Sequence, residues 1–506
     1  MKVKCIQSFL VLLFVQCINV FSVYAQAPLN DERVMLQGFY WESYRHGHPE
    51  KFPQFGKKKW YTIVTDNAVK IREGHFDLIW LPPPSFSGAF SAGYNPKEYF
   101  NLSNSYGSFT QQHKMLKSLL QKGIEPVADI VINHRDGTNG WVDFKNPAWG
   151  LSSICGDDEA FSNSSSGVAG TPAEQKGALE EKPEYASART TTYQYNSFRD
   201  IDHTNKQVER DIIKYLLQLQ SAGYRGWRYD MVHGYHAKWI GLYNKRTHPT
   251  FSVGEYDWDK HDEQRGWIWH TSTTADHFET SSSVFDFSTY FTLKDNKTNY
   301  LSWYSHGNGI GMVGDNTDNV AWKQRSVTFL ENHDTGFRTG EDGNPEEHHE
   351  SDSFQNNWEV EQAYAYILTH PGVPTVYWKH YFDWGTDLQN KIKALINARK
   401  VAGVNSGSKI NVQDNARTKN VYAAMVEGKN GELYVRIGGS DTEWQPSFSN
   451  YNDYREYASG NGWKVWVKIA GNPSVKQAEL NQPLNVPVYK KASSINVPDE
   501  WLSLTE

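Results

Sequence analysis

Short apolar runs alternate along most of this chain with longer amphipathic stretches, a rhythm that predicts a parallel α/β barrel rather than a sandwich. The runs fall at 34–39, 76–81, 127–132, 224–230, 251–255, 283–287, 326–334 and 373–377, which makes eight strands. Between His134 and Asp200 the rhythm is broken by a long polar stretch that holds the segments 162–167 and 180–184. Connections of that length are uncommon unless they serve a function, so an inserted subdomain at one end of the barrel is expected. Beyond about Gly403 the pattern changes to short alternating strands at 421–426, 432–437 and 463–469, which predicts an antiparallel sheet. The expected organisation is a leader at 1–25, a barrel at 26–135 and 200–402, an insertion at 136–199, a β domain at 403–470 and an extension of unknown role at 471–506.

The leader reading rests on Lys2 and Lys4, the apolar run 9–14 that continues weakly to Val23, and the small-residue site ending at Ala25. A membrane anchor would need a longer run, and this one is broken by Gln16 and Asn19. Gln16 is too large for the position before a lipidated cysteine at Cys17. A secreted chain beginning near Gln26, extracellular or periplasmic and without an anchor, is therefore expected. Cys5 and Cys17 leave with the leader, so Cys155 stands alone and no intramolecular disulfide can form. The net charge of -7 argues against nucleic acid as a partner. Most of the 19 Trp and 29 Tyr are expected to pack in the core, but such rings also stack on pyranose faces, and a minority are expected to touch substrate.

Three of the apolar runs end in or next to an acid: Asp230, Glu255 and Asp334. In a parallel barrel all strands point the same way, so these carboxylates converge on one face. One such acid alone reads equally well as a helix cap or a solvated residue. Three together, flanked by Arg228, His134, Asn332 and His333, point to acid/base chemistry on a sugar. Arg228 lies two residues before Asp230, on the same strand face, where it can hold that carboxylate ionised; a plain buried salt bridge would look identical.

The segments Asp129-Ile-Val-Ile-Asn-His134, Gly226-Trp-Arg-Tyr-Asp230, Val253-Gly-Glu255 and Phe329-Leu-Glu-Asn-His-Asp334 resemble, in order and spacing, the signature regions of family 13 glycoside hydrolases. Further similar segments lie at 35–42, 79–85, 93–96, 154–158, 200–203 and 369–377, so the resemblance runs from about Val34 to about Ile469. Within that family the chain is similar to plant-type and archaeal-type α-amylases. The resemblance implies a TIM (β/α)8 barrel with an inserted domain B after strand 3, a C-terminal antiparallel β-sheet domain, and endo-hydrolysis of α-1,4-glucosidic bonds in starch, glycogen or maltooligosaccharides. A maltose-releasing or transglycosylating member and a non-catalytic glucan-binding protein are the alternatives. The chain is expected to act as a monomer.

By motif position Asp230 resembles the family nucleophile, Glu255 the general acid/base and Asp334 the third acid, which holds sugar hydroxyls at the cleavage point. Tyr94, His134 and His333 match residues that contact the sugar beside the cleaved bond, and Arg228 and His233 belong to the same substrate-binding set. His233 stands where relatives carry Lys or Arg facing the leaving group. Asn133, Asp200 and the carbonyl of Gly234 resemble a Ca²⁺ site, whose hard oxygens suit that ion. Asp200 could instead cap a helix and Asn133 close a turn. Relatives carry further acids just before Asp200, whereas 190–198 has none. Asp157 and Asp158 match acids of extra calcium sites in plant relatives, or are solvated loop residues. The paired tryptophans of the cereal surface starch site are missing around 311–314.

Overall fold

A computed structural model of the chain describes residues 29–503, apart from 139–141, 159, 161–175, 182–183, 186–197, 258–260, 273–279, 306, 308, 315–319, 347–352, 441–442, 449 and 469–481. The leader at 1–25, the segment 162–167 and most of 190–198 therefore lie outside the described residues. Eight parallel strands close into a barrel: β1 Met35–Gln37, β2 Leu78–Leu81, β3 Glu125–Ile130, β4 Gly226–Tyr229, β5 Phe251–Gly254, β6 Ser283–Phe285, β7 Ser326–Thr328 and β8 Val373–Tyr377. Each strand pairs with its neighbours in sequence, and β1 pairs with β8 to complete the circle. The strands are buried almost throughout, since side chains fill the barrel and helices cover it outside.

The helices that follow the strands are α1 Trp60–Glu73, α2 Phe109–Gln121, α3 Lys206–Ala222, α4 Lys238–Thr247, α5 His261–His270, α6 Phe287–Asp295, α7 Asn357–Ile367 and α8 Thr386–Ala402. Their starts are written locally. Ser108 and Gln111 form a capping box at α2, and the Asn205 side chain accepts from Gln207 and Val208 at α3. The sixth strand, expected through Phe287, ends at Phe285. The Asp286 carboxylate accepts from the amide of Thr289 at 2.9 Å and opens α6 instead.

The insertion leaves the barrel after β3 and is pinned at its base. His134–Arg135 pairs antiparallel with Arg199–Asp200. The Arg135 guanidinium donates to the carbonyls of Lys97 (2.8 Å), Lys145 (2.6 Å) and Pro147 (3.0 Å), and Arg199 forms a buried ion pair with Asp158. Of the two alternatives for Asp158, the structure gives neither a solvated residue nor a free ligand: that carboxylate is committed to Arg199.

The C-terminal sheet contains β9 Ile410–Val412, β10 Tyr422–Glu427, β11 Glu432–Ile437, β12 Tyr454–Gly460 and β13 Trp463–Lys468, antiparallel in the order β9-β10-β11-β13-β12. It docks on α7, where Glu361 accepts from Trp463 Nε1 (3.2 Å) and the amide of Asn461 (3.0 Å). Residues 482–503 return across the outside of the barrel. Among the described residues no helix is long and apolar enough to cross a membrane.

Candidate active site

At the C-terminal end of the barrel Arg228 binds three carboxylates. Its Nη1 lies 2.8 Å from Asp129 Oδ1 and 2.7 Å from Asp230 Oδ1, and its Nη2 lies 2.7 Å from Glu255 Oε2. Three neighbouring strands position these groups: β3 and β4 set Asp129 beside Arg228 in register, and Glu255 follows β5. Asp129 also accepts from Trp80 Nε1 (3.0 Å) and from the Tyr94 hydroxyl (2.9 Å). Met231, directly after Asp230, adopts a left-handed backbone with φ of 44° and turns its amide toward Glu255 Oε2 at 3.3 Å. Such a conformation in a non-glycine residue costs of the order of 1 kcal/mol or more and is typical of functional sites.

Burial pushes the Asp230 carboxyl well above its usual range; Arg228 pulls it back, and the Glu255 and Asp129 charges push it up again. Asp129 is pushed up to about 6 by burial against the same opposing guanidinium. Burial alone would lower the Arg228 pKa, but its three carboxylate neighbours more than offset this and raise it. With three acids against one base, burial and mutual repulsion favour the protonated forms of Asp230 and Asp129, and Arg228 opposes them.

A cleft of about 470 Å³ opens over these acids. Asp230, Glu255 and Asp334 all line it, together with Tyr94 and His134. Asp334 is half-exposed, 3.0 Å from His333 Nε2 and 3.6 Å from Arg338. The rings of Trp41, Tyr94 and His333 are nearly parallel, with Tyr94 5.0 Å from His333 and 6.0 Å from Trp41. His134 donates from Nε2 to the Tyr94 carbonyl at 2.7 Å, and burial lowers its pKa to about 4, so the ring is neutral.

Three expected substrate residues stand behind this surface rather than on it. Arg228 lies beneath the acids. His333 is fully buried between Gln37 (Nε2 to Nδ1, 3.0 Å) and Asp334, where burial holds it neutral. His233, expected to face the leaving group, is buried beside Tyr256 and 3.2 Å from Asp257, with its pKa lowered to about 3 by burial. The side chain that reaches the cleft there is Asp257, pushed up to about 7 by burial and by Glu255.

The sequence reading also passed over Trp41, Asp129, Asp257, Arg338 and one face of α6, all at this site. Asp129 left a signal, since an acid inside an apolar strand needs a buried partner. Asp257 lies two residues past Glu255. Trp41 opens a short 3-10 helix after β1 and Arg338 lies in a loop after β7, where spacing says nothing about which side chain turns inward.

The would-be metal ligands meet below the insertion. Asn133, Asp200 and Gly234 border one small cavity of about 20 Å³, room for a single ion or water. The Asn133 amide donates to His134 Nδ1 at 3.3 Å, which turns its oxygen to Gly234; a Cβ at Gly234 would come within 2.0 Å of that oxygen. An amide oxygen, a carboxylate and a backbone carbonyl suit a hard cation. Among the described residues no three His, Cys, Asp or Glu side chains are grouped to hold a metal, so a site here draws on amide and backbone oxygens.

Residues 64–379 match the α-amylase catalytic domain, and residues 401–467 match the α-amylase C-terminal β-sheet domain. The chain belongs to the α-amylase family. It is 31% identical over 452 residues to the probable α-amylase 2 of Arabidopsis thaliana, covering 86% of this chain and 94% of that one. It is 28% identical over 413 residues to a glucan 1,4-α-maltotetraohydrolase of Stutzerimonas stutzeri, covering 75% and 64%. In three dimensions it is similar to the α-amylase of Geobacillus thermoleovorans crystallised with acarbose, with a TM-score of 0.59 and 13% identity over 87% of this chain and 99% of that one. At that identity the likeness is one of fold. The α-amylase catalytic-domain match contains every acid that lines the cleft, so the convergent carboxylates belong to the part of the chain that defines the family as hydrolases.

Proposed function

We propose that this α-amylase-family hydrolase is a secreted enzyme that cleaves internal α-1,4-glucosidic bonds of starch- or glycogen-like glucans with retention of configuration. The observation that carries the reading is the Arg228 guanidinium with Asp230 and Glu255 on its two terminal nitrogens. Carboxylates held so close favour the separation of about 5 Å found in retaining glycosidases over the wider gap that leaves room for a water. Asp230, ionised against Arg228, attacks the anomeric carbon. Glu255, held by the other terminal nitrogen of Arg228, gives a proton to the departing oxygen and then takes one from the water that opens the glycosyl enzyme. Asp334, exposed at the cleft, binds sugar hydroxyls, while Tyr94 offers a ring face and the neutral rings of His134 and His333 fix Tyr94 and Asp334.

Asn133, Asp200 and the Gly234 carbonyl would hold Ca²⁺, whose role is to tie the insertion to the ends of β3 and β4. Secretion rests on the leader pattern at 1–25.

A second reading comes from the relatives named maltotetraohydrolases, which release one product length. A time course on amylose separates the two. Endo action collapses iodine staining well before reducing ends accumulate, and proton NMR finds the α anomer first. Staining that falls in step with one maltooligosaccharide favours the second reading, and an initial β anomer overturns Asp230 as nucleophile.

A further inference from the structure

Two of the three acids at the cleft share one anchor, and the third stands apart from it. Arg228 holds Asp230 and Glu255, and both directly follow their strands. Asp334 stands beyond the end of β7 at Thr328, on a turn. That turn is tied within itself: Asn332 Oδ1 accepts from the amides of Asp334 (2.8 Å) and Thr335 (2.9 Å), and the Asn332 amide donates to Thr335 Oγ1 (3.0 Å). It therefore moves as a unit, and the place of the Asp334 carboxylate depends on what fixes the base of the turn. His333 reaches Gln37 on β1 at 3.0 Å. Glu331 ties the same base to β8 and α7.

The Glu331 carboxylate is buried behind the cleft, 2% exposed. Its Oε1 accepts from the amide of Phe354, ahead of α7, and its Oε2 lies 3.0 Å from Nε2 of His380, which is fully buried just after β8. His380 Nδ1 meets the Tyr364 hydroxyl of α7 at 2.9 Å, and that hydroxyl accepts from the amide of Tyr377 in β8 at 3.1 Å. The Tyr377 ring returns to the turn, where a Cβ at Gly336 would come within 2.9 Å of it. Polar contacts thus run from Glu331 to β8 and α7, and packing brings them back to the turn that carries Asp334. Stability alone does not account for this arrangement, since apolar side chains of the same volume fill such a space as well as a buried acid–base pair, and often better. What a carboxylate with directed partners adds is a fixed orientation. Glu331, His380 and Tyr364 do not line the cleft themselves.

We propose that Glu331, paired with His380, is a positioning residue for Asp334, which rests on the proposed role of Asp334 in binding sugar hydroxyls at the cleavage point. The pair sets the height and direction at which that carboxylate meets the sugar. Glu331 touches no substrate and acts through the turn. A displacement of about 1 Å at the reacting centre costs up to about 10²-fold in rate, so a small shift of the turn is enough to be read in turnover.

The test is a double-mutant cycle with Asp334. Glu331→Gln keeps the shape of the side chain and removes its charge, and His380→Gln weakens the pair from the β8 side; either carries the test if the other does not fold. Both are measured below their melting transitions with maltoheptaose and with α-maltotriosyl fluoride, whose leaving group needs no proton from Glu255. Each is expected to lower kcat/KM roughly tenfold to a hundredfold on both substrates. In an Asp334→Asn background the same substitutions should cost less than about twofold, because the carboxylate they displace is already gone. Equal losses in the two backgrounds would make the pair structural only, wild-type kcat/KM in both single variants would make it idle, and a loss confined to maltoheptaose would assign it to Glu255. Each of these outcomes overturns the positioning role while leaving the proposed function intact. Wild-type activity in Asp334→Asn itself would overturn the proposed role of Asp334, and the positioning role with it.

Discussion

Arg228 carries three carboxylates on one guanidinium, and that imbalance governs the protonation of the cleft. In its proposed role Asp230 has to be ionised to attack, yet burial raises its pKa and only Arg228 opposes the rise strongly. The sign of a change at Arg228 follows. Weakening the guanidinium removes the lowering influence, Asp230 holds its proton to higher pH, and the ionised fraction at a given pH falls. Arg228→Lys keeps one positive charge but cannot span three carboxylates with a planar fork. Its kcat/KM profile should show the acid limb displaced to higher pH than wild type, with a loss of roughly 10²-fold at the optimum, the scale of removing one preorganised electrostatic contact. A profile that falls uniformly, with the acid limb in place, would mean that Arg228 is structural and does not poise the nucleophile.

Between elements the decisive junction is the one below the insertion, where Asn133 after β3, Asp200 at the return of the inserted chain and Gly234 after β4 border one small cavity. A cation bound there exists only in the folded state and stabilises it by mass action, by about 4 kcal/mol at a thousandfold excess over Kd. Chelator should lower the melting temperature and added Ca²⁺ should restore it, whereas reductant should do nothing, since Cys155 is free and buried. Melting that ignores chelator would remove calcium from this junction. The same elements explain what could be read in advance. All eight barrel strands announce themselves because a strand covered on both faces must be apolar throughout. The edge strand β12, Tyr454–Gly460, was not foreseen, since none of its residues is buried and it carries no apolar alternation. The three residues of β9 are too few to form a pattern. Asp230 and Glu255 were legible because they directly follow strands, and Asp334 because it closes the run 326–334, although the strand itself stops at Thr328 and Asp334 lies in the turn beyond it. The α6 face was not, because its first aromatic residue, Phe287, read as the end of strand β6, whereas Asp286 caps a helix there.

On the scale of the whole molecule, residues 482–503 of the C-terminal extension form a strap on the barrel's outer wall. The amide of Leu484 donates to the Leu120 carbonyl (2.7 Å), Lys490 to Ser221 Oγ (2.8 Å) and Ala492 to Gln218 Oε1 (2.7 Å). Tyr489 packs on Phe109 with ring centroids 4.5 Å apart, Lys206 donates to the Leu502 carbonyl (2.9 Å), and Arg246 Nε donates to that of Trp501 (2.6 Å). The strap thus joins α2, α3 and α4, none of which contributes a side chain to the cleft. Its buried apolar side chains are few, chiefly Val497 and Leu502, each worth roughly 1.5–3 kcal/mol. Hydrogen bonds to the three helices supply much of what holds it in place. Deleting 482–506 should lower the melting temperature by several degrees, at about 2–4 °C per kcal/mol for a domain of this size. The kcat/KM for maltoheptaose, measured below the new transition, should stay within about twofold of the full chain, because the cleft residues keep all their contacts. An unchanged melting temperature would make the strap an ornament of the surface. A fall in kcat/KM with melting preserved would instead mean that the outer wall is coupled to the cleft through α3, which begins at Lys206, a short turn after Asp200.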